Sequence, residues 1–487
     1  MKKIFIAIAA VVLTAVIVVF AVGNINKDDG RNFNIEFNGK SISMNSNNGE
    51  KGYNVSEMRT GAVNNIKIKD ISEVEQIKIN DIEYPVKSEL KYSISSIDDE
   101  NKIKLSVKFS DDNGTYDYYI NTMSTDFPGY SVKAESPYDG DYYMTTHNEE
   151  HNYVFVLNED GSMKYYKETE SNPFNFQKVT TEDGDIRYLY MDTLKDKSYR
   201  ISSIGYSPTQ LVVLDENYNE INNIMMSEYD TIEEGDPLEN HDYIYIDDNH
   251  YILSSYQQVT ATNIPDSVSG GKTPEVVEEV IQEVKDGKVV WQWRSSQYPE
   301  LYAQSKEGNT YSEENDSALD YLHFNSMTID ESDGNLVCSF RNLDEVVKIN
   351  RKTGEIMWTL GGDGDDFSMT EEQKFSRQHH VTFTDDGYIT VYDNGDKNES
   401  TRIVKLKLDE KNMKVTEYAS YDIGDFYKYM GSVSEVDKDN QVFMIGTGGK
   451  TSEQDTVAFE KNFSTGEVYF EFGFDSGESM YRCHKIK

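Results

Sequence analysis

Three of the eight histidines stand where alternating strands begin. They are His241 in Asn240-His-Asp-Tyr-Ile-Tyr-Ile246, His323 in Asp320-Tyr-Leu-His-Phe-Asn-Ser326, and His379 in Arg377-Gln-His-His-Val-Thr-Phe383. Polar turns ending in Gly287, Gly354 and Asn412 follow them after 46, 31 and 33 residues. His323 and His379 therefore hold nearly equivalent places in a repeat. His241 joins them once Thr260–Pro274 is read as an enlarged loop. Arg341 ends the strand Asn335-Leu-Val-Cys-Ser-Phe-Arg341, the sequence neighbour of the His323 strand. A guanidinium in so apolar a strand requires an anion or a carboxylate partner, and Asp320 and Asp344 are candidates. Gathered onto one axis, these groups would form a cationic cluster able to hold an anionic ligand. Left scattered, they are solvated strand starts and an ordinary salt bridge, and spacing alone leaves both readings open.

Such a cluster would have to override the rest of the chain. The 487 residues carry 87 acidic against 47 basic side chains, a formal charge of -40. That field repels nucleic acid, and it repels anionic ligands wherever no local Arg and His cluster intervenes. Two cysteines rule out a disulfide framework, and no CxxC or Cys/His zinc spacing occurs, so no metal is assigned. Ser269-Gly-Gly-Lys-Thr273 and Thr447-Gly-Gly-Lys-Thr451 mimic the end of a P-loop, but Asp266 and Met444 stand where its first glycine is required. The acidic turn at Gly361–Asp366 fails the EF-hand spacing. An aromatic share of 12% excludes a disordered acidic chain and points to a large β-rich body.

The elements that must position these residues can be read in outline. Lys2 and Lys3 precede an uncharged apolar run, Ile4–Val22, so residues 1–23 read as a signal peptide or an uncleaved membrane anchor. Either way the remainder is exported, with any membrane association through this segment alone. Residues 24–31 read as a linker. From 32 to 126, period-2 stretches such as Lys102-Ile-Lys-Leu-Ser-Val-Lys-Phe109 predict antiparallel strands in a small β-sandwich, whose edges make a homodimer conceivable. Asp126-Phe-Pro-Gly129 breaks the pattern and marks the boundary.

From 127 to 487 one motif recurs: an apolar residue, a polar turn ending in Gly or Asn, then an alternating strand. Its copies are anchored at Gly161, Asn219, Gly287, Gly354, Asn412 and Gly466. Each anchor suits a positive φ in a hairpin. Six units spaced 54 to 68 residues apart predict an all-β chain whose main body is a six-bladed β-propeller. Innermost strands of such a body line a channel, where residues distant in sequence converge.

These residues resemble the bacterial arylsulfotransferases that work without a nucleotide sulfate donor. The likeness rests on Thr125-Asp-Phe-Pro-Gly129, Asn240-His-Asp242, Asp320-Tyr-Leu-His-Phe-Asn-Ser326, Ser339-Phe-Arg341 and Met430-Gly-Ser432. Its most specific part is Gln378-His379 followed by Asp393-Asn-Gly395. The resemblance implies a six-bladed propeller with a small N-terminal β-domain. It implies that His379 is transiently sulfated, that His241, His323 and Arg341 hold the sulfuryl oxygens, and that Asn325 adds a contact. It further implies a phenolic sulfate donor, a phenol acceptor, ping-pong transfer, and no cofactor. His380 is the rival nucleophile, which strand alternation turns away if His379 faces the channel. Some exported relatives carry a cysteine pair before the Gln-His block. Here Cys338 and Cys483, far apart in sequence, read as free thiols. A non-catalytic exported binding module and an aryl sulfate hydrolase are the competing functions.

Overall fold

The computed structural model describes residues 30–59, 63–69, 71–93, 102–111, 114–123, 127–147, 152–196, 201, 205–307, 311, 317–449, 456–475 and 477–487. The apolar run Ile4–Val22 and most of the linker lie outside the described residues, as does Thr125-Asp126 of the boundary motif. No helix among the described residues is long and apolar enough to cross a membrane. The chain divides into two compact units, Met1–Phe127 and Pro128–Lys487.

The first unit holds two sheets. One runs Lys40–Asn45, Asn32–Phe37, Val63–Ile68, Glu89–Ser93, and the other Tyr53–Arg59, Thr115–Met123, Lys102–Phe109, Val74–Ile79, Ile82–Tyr84. Alternate residues of both sheets, among them Phe33, Ile35, Phe37, Ile77, Ile79, Leu105 and Val107, share one buried core. Not every pairing is antiparallel as expected: Tyr53–Arg59 lies parallel to Thr115–Met123. More than fifty residues separate the two strands, which leaves room for the crossover that a parallel pair needs.

The second unit contains six consecutive antiparallel sheets of four or five strands. The third comprises Ile244–Asp247, His250–Thr260, Glu275–Lys285 and Lys288–Arg294. The fourth comprises Phe324–Asp330, Asn335–Phe340, Glu345–Ile349 and Ile356–Gly361. The fifth comprises Val381–Phe383, Ile389–Asp393, Arg402–Asp409 and Lys414–Asp422. Each sheet packs an apolar face on the next. Trp358 and Leu360 of the fourth, for example, meet Val391, Val404 and Leu406 of the fifth in one cluster. The sixth sheet also meets the first, where Tyr142 stacks on Phe470 at 3.7 Å. The last strand of the chain, Cys483–Ile486, pairs with Asp141–Thr145 and completes the first sheet.

All six copies of the sequence motif fall in the last hairpin of a sheet, and in all six the pairing slips by one residue beside the turn. That bulge takes a residue in the left-handed region. Gly161, Gly287, Gly354 and Gly466 supply it, as expected. In the remaining two turns the left-handed residue is not the asparagine anchor but its neighbour, Tyr218 or Met413. There Asn219 and Asn412 are engaged instead by the side chains of Asp215 and Asp409 at the start of the turn. The stretch Thr260–Pro274 forms an enlarged connection within the third sheet, carrying the short helix Asp266–Ser269.

Candidate active site

His241, His323 and His379 each sit just ahead of the first strand of the third, fourth and fifth sheets. The rings of His241 and His323 are 5.0 Å apart, and those of His241 and His379 are 5.9 Å apart. All three are buried, none more than 7% exposed.

A different backbone or carboxylate acceptor sets each imidazole. Glu239, two residues before His241, accepts from the His241 backbone N–H at 2.8 Å and also contacts its Nδ1. Its other oxygen accepts from the Ser254 hydroxyl at 2.8 Å and from the Asp242 N–H at 3.1 Å. Asp320 does the same for His323, meeting its N–H at 3.0 Å and its Nδ1 at 2.6 Å. His323 itself adopts φ 53°, strained for a residue with a Cβ, and this kind of strain concentrates at functional sites. His379 is held by its N–H on the Tyr392 carbonyl at 3.0 Å and by Nδ1 on the Gly431 carbonyl at 2.9 Å.

A carbonyl can only accept, so the Nδ1 of His379 carries the proton and Nε2 carries the lone pair. Burial holds His379 well below the usual imidazole range, and Arg482 and His241 add to the effect. Burial also lowers His241, against the opposing pull of Glu239. Three tyrosines surround the cluster. Tyr256 lies 6.2 Å from His241 and 6.1 Å from His323, Tyr481 lies 5.4 Å from His379, and Tyr206 stacks on Tyr256 at 5.4 Å.

His380 points elsewhere. Its ring is 6.1 Å from His484, and its Nδ1 lies within 3.2 Å of the Val433 backbone. Arg341 begins a one-turn helix, Arg341–Leu343, and its backbone N–H donates to the His323 carbonyl at 2.9 Å. Its guanidinium donates to Asn342 at 2.9 Å and lies 3.8 Å from Glu307, which Arg377 engages more closely at 3.1 Å. Burial and the neighbouring Arg377 both weaken the hold of Arg341 on its proton. Asp344, one expected partner of Arg341, instead accepts from the Arg377 backbone at 2.8 Å. Asn325 is fully buried and donates to the Gln378 carbonyl at 2.8 Å, fastening the segment that carries His379. Cys338 and Cys483 are both free and buried. Among the described residues no group of three His, Cys, Asp or Glu is placed to hold a metal ion.

The sequence pattern of the arylsulfotransferase (ASST) family matches residues 193–464, more than half of the chain. The chain belongs to this family. Membership supports arylsulfotransferase activity in general terms, with small aryl sulfates and phenols as the substrate class. No curated protein matches the sequence. Among solved structures, a protein of unknown function from Bacteroides caccae is 12% identical, with 72% of this chain and 99% of that one covered, at a TM-score of 0.40. The periplasmic gluconolactonase of Pseudomonas aeruginosa is 10% identical, with 73% and 99% covered, at 0.39. A quinoprotein alcohol dehydrogenase-like protein from Bacteroides thetaiotaomicron is 10% identical, with 87% and 96% covered, at 0.32.

The arylsulfotransferase match contains His241, His323, Asn325, Arg341 and His379. Several residues of the cluster were not singled out in the sequence. Glu239 carried a signal, since it precedes His241 by two residues and could fold back on it, whereas Asp320, expected as a partner of Arg341, engages His323. Gly431 lay within the Met430-Gly-Ser432 stretch of the resemblance, though with no role attached, while Tyr481 and Arg482 carried no signal.

Proposed function

We propose that the protein moves a sulfuryl group from a phenolic sulfate ester to a second phenol through a sulfohistidine on His379. The observation that carries this reading is the Nδ1–H bond of His379 to the Gly431 carbonyl, which leaves Nε2 nucleophilic. In the first step Nε2 attacks sulfur. An S–N bond forms, the S–O bond to the aryl group breaks, and the electron pair leaves on the phenolate oxygen. In the second step a phenol oxygen attacks the same sulfur and gives up its proton to the His241 or His323 imidazole. The S–N bond then breaks, its electron pair returns to Nε2, and the protonated imidazole gives its proton to the phenolate released in the next turnover.

Charge builds on the non-bridging oxygens and on the leaving oxygen. Arg341, His241 and His323 are the groups assigned to meet it. Glu239 and Asp320 hold Nδ1 of their imidazoles, which directs each Nε2 toward proton transfer. Tyr206 and Tyr256 offer flat apolar faces for a phenyl ring. Asn325 serves in this reading by holding Gln378 in place.

The six sheets of the second unit are read as the blades of a six-bladed propeller, with the histidines at the mouths of innermost strands. Export through the N-terminal segment belongs to the same reading, so the reaction takes place outside the membrane.

The test is incubation with p-nitrophenyl sulfate, with and without phenol. The expected result is p-nitrophenol release that depends on phenol and is matched by phenyl sulfate. Without acceptor, the peptide containing His379 gains the mass of a sulfuryl group. Free sulfate without a sulfated acceptor would make the protein a hydrolase. No release under any condition would make it a binding module.

A further inference from the structure

Arg482 is 2% exposed, and it lies beyond the residues that the family pattern matches. Burying a guanidinium is costly unless its charge is paired and its N–H groups are bonded. Here Nη1 meets Asp242 at 3.1 Å and Nη2 donates to the Asn325 carbonyl at 2.7 Å, while Nε has no hydrogen-bond partner among the described residues. Asp242 is the residue after His241, and its other oxygen accepts the Met327 N–H at 3.0 Å. Asn325 stands two residues after His323, and its amide donates to Gln378, the residue before His379. One buried guanidinium thus joins the His241 and His323 segments directly and the His379 segment through the Asn325 amide.

The residue before it adds two further ties. The Tyr481 hydroxyl donates to the His241 carbonyl at 3.0 Å. The Tyr481 carbonyl accepts the N–H of Gly431 at 3.2 Å, and the Gly431 carbonyl in turn holds His379. Both residues directly precede Cys483–Ile486, the strand that completes the first sheet. Pairing of this strand therefore brings in ties that reinforce the direct bonds from Asp242 to Met327 and from Asn325 to Gln378.

We propose that Arg482, with Tyr481, is the positioning residue of the site, holding His241, His323 and His379 in one register from behind. The assignment of what that register serves rests on the sulfuryl-transfer reading above. Arg482 touches no reacting atom. It acts through the Asp242 carboxylate and the Asn325 backbone carbonyl. It also acts through its charge, which reaches His241, His379, His380 and His484 and is itself faced by Asp242, Tyr481 and Glu239.

The test compares Arg482→Met and Arg482→Lys with the wild-type full chain. Readouts are the melting temperature, kcat and KM for sulfuryl transfer, and titration of the His379 Cε1–H signal in histidine-labelled protein. Misplacing reacting groups by an ångström costs about 100-fold in rate, so kcat of folded Arg482→Met should fall by about that factor while KM stays within about threefold. The His379 midpoint should rise once the nearby cation is gone, and Arg482→Lys should recover part of both changes. If Arg482→Met does not fold because Asp242 is left unpaired, the double variant Asp242→Asn/Arg482→Met removes both charges and carries the same readouts. A folded variant with a lowered melting temperature but wild-type kcat and His379 titration would overturn the proposal, leaving Arg482 merely structural. If the wild-type protein transfers nothing, the functional reading falls, and the His379 titration still decides the role of Arg482.

Discussion

The Nδ1 of His379 lies 2.9 Å from the carbonyl oxygen of Gly431, fifty-two residues away on the strand mouth of the next sheet. That carbonyl sits in a turn where only glycine fits. Gly431 has φ 103°, and a Cβ there would stand 2.3 Å from the ring of Tyr392. Tyr392 has little freedom to yield, since its hydroxyl donates to the Thr447 carbonyl at 2.6 Å and its own carbonyl anchors the His379 backbone. Gly431→Ala should therefore displace the carbonyl that sets the proton on His379. We expect kcat for sulfuryl transfer to fall about tenfold or more, with KM little changed. Steady-state kinetics of the folded variant check this, and an unchanged kcat would contradict it.

The pH dependence follows from the same imidazole. Only neutral His379 has a lone pair to offer, and protonation removes it. Burial and the neighbouring Arg482 hold its pKa well below the ordinary 6.5, so the folded protein keeps the imidazole neutral on the acid side of that value. The acid limb of kcat/KM for an aryl sulfate should accordingly fall below pH 6.5, with no loss between about pH 7 and 6.5. A pH–rate profile whose acid limb lies at or above 6.5 would count against His379 as nucleophile.

Glu239 and Asp320 set the other two imidazoles. Glu239 spends both oxygens on donors from His241, Asp242 and Ser254. An amide at either position places N–H₂ against groups that donate and releases the ring it faces. Glu239→Gln and Asp320→Asn should each lower kcat by about 100-fold while leaving the melting temperature within a few degrees. Measured separately, the two should share one property: the sulfuryl adduct on His379 still forms but turns over slowly. A variant that transfers at the wild-type rate would exclude its carboxylate from this role.

The parts of the site that could be read in the sequence are those built locally. His241, His323 and His379 fall in the same place in their sheets because each precedes a first strand, and the repeat exposes that position. The turn motif was legible for the same reason, since a bulged hairpin needs a left-handed residue wherever the chain repeats it. Where Asp215 or Asp409 captured the asparagine, the left-handed position moved by one residue, a competition between neighbours that a one-letter pattern does not display. The parallel pairing of Tyr53–Arg59 was hidden because alternation looks the same in either strand direction. Tyr481 and Arg482 were hidden for a different reason. They reach the histidines only through the pairing of Cys483–Ile486 with Asp141–Thr145, a contact spanning most of the chain.

Glu345 tests how the ground beneath His379 is held. Its carbonyl accepts from the Gln378 side chain at 2.9 Å, so movement of this strand is passed to the neighbouring histidine. Its own carboxyl is fully buried; one oxygen takes the Gly364 N–H at 2.8 Å, and the other has no hydrogen-bond partner among the described residues. Burial pushes this carboxyl up to about 8, from an ordinary 4.5. Between those values the folded protein keeps a proton that the unfolded chain has released, so stability falls as pH rises through the window and levels off above it. A glutamine offers the same acceptor to Gly364 and has no proton to lose. The stability of Glu345→Gln relative to wild type should thus grow from pH 4.5 to about 8 and stay constant beyond. Urea denaturation at pH 5, 7 and 9 measures the difference, and a gap independent of pH would mean that Glu345 is ionised in the fold.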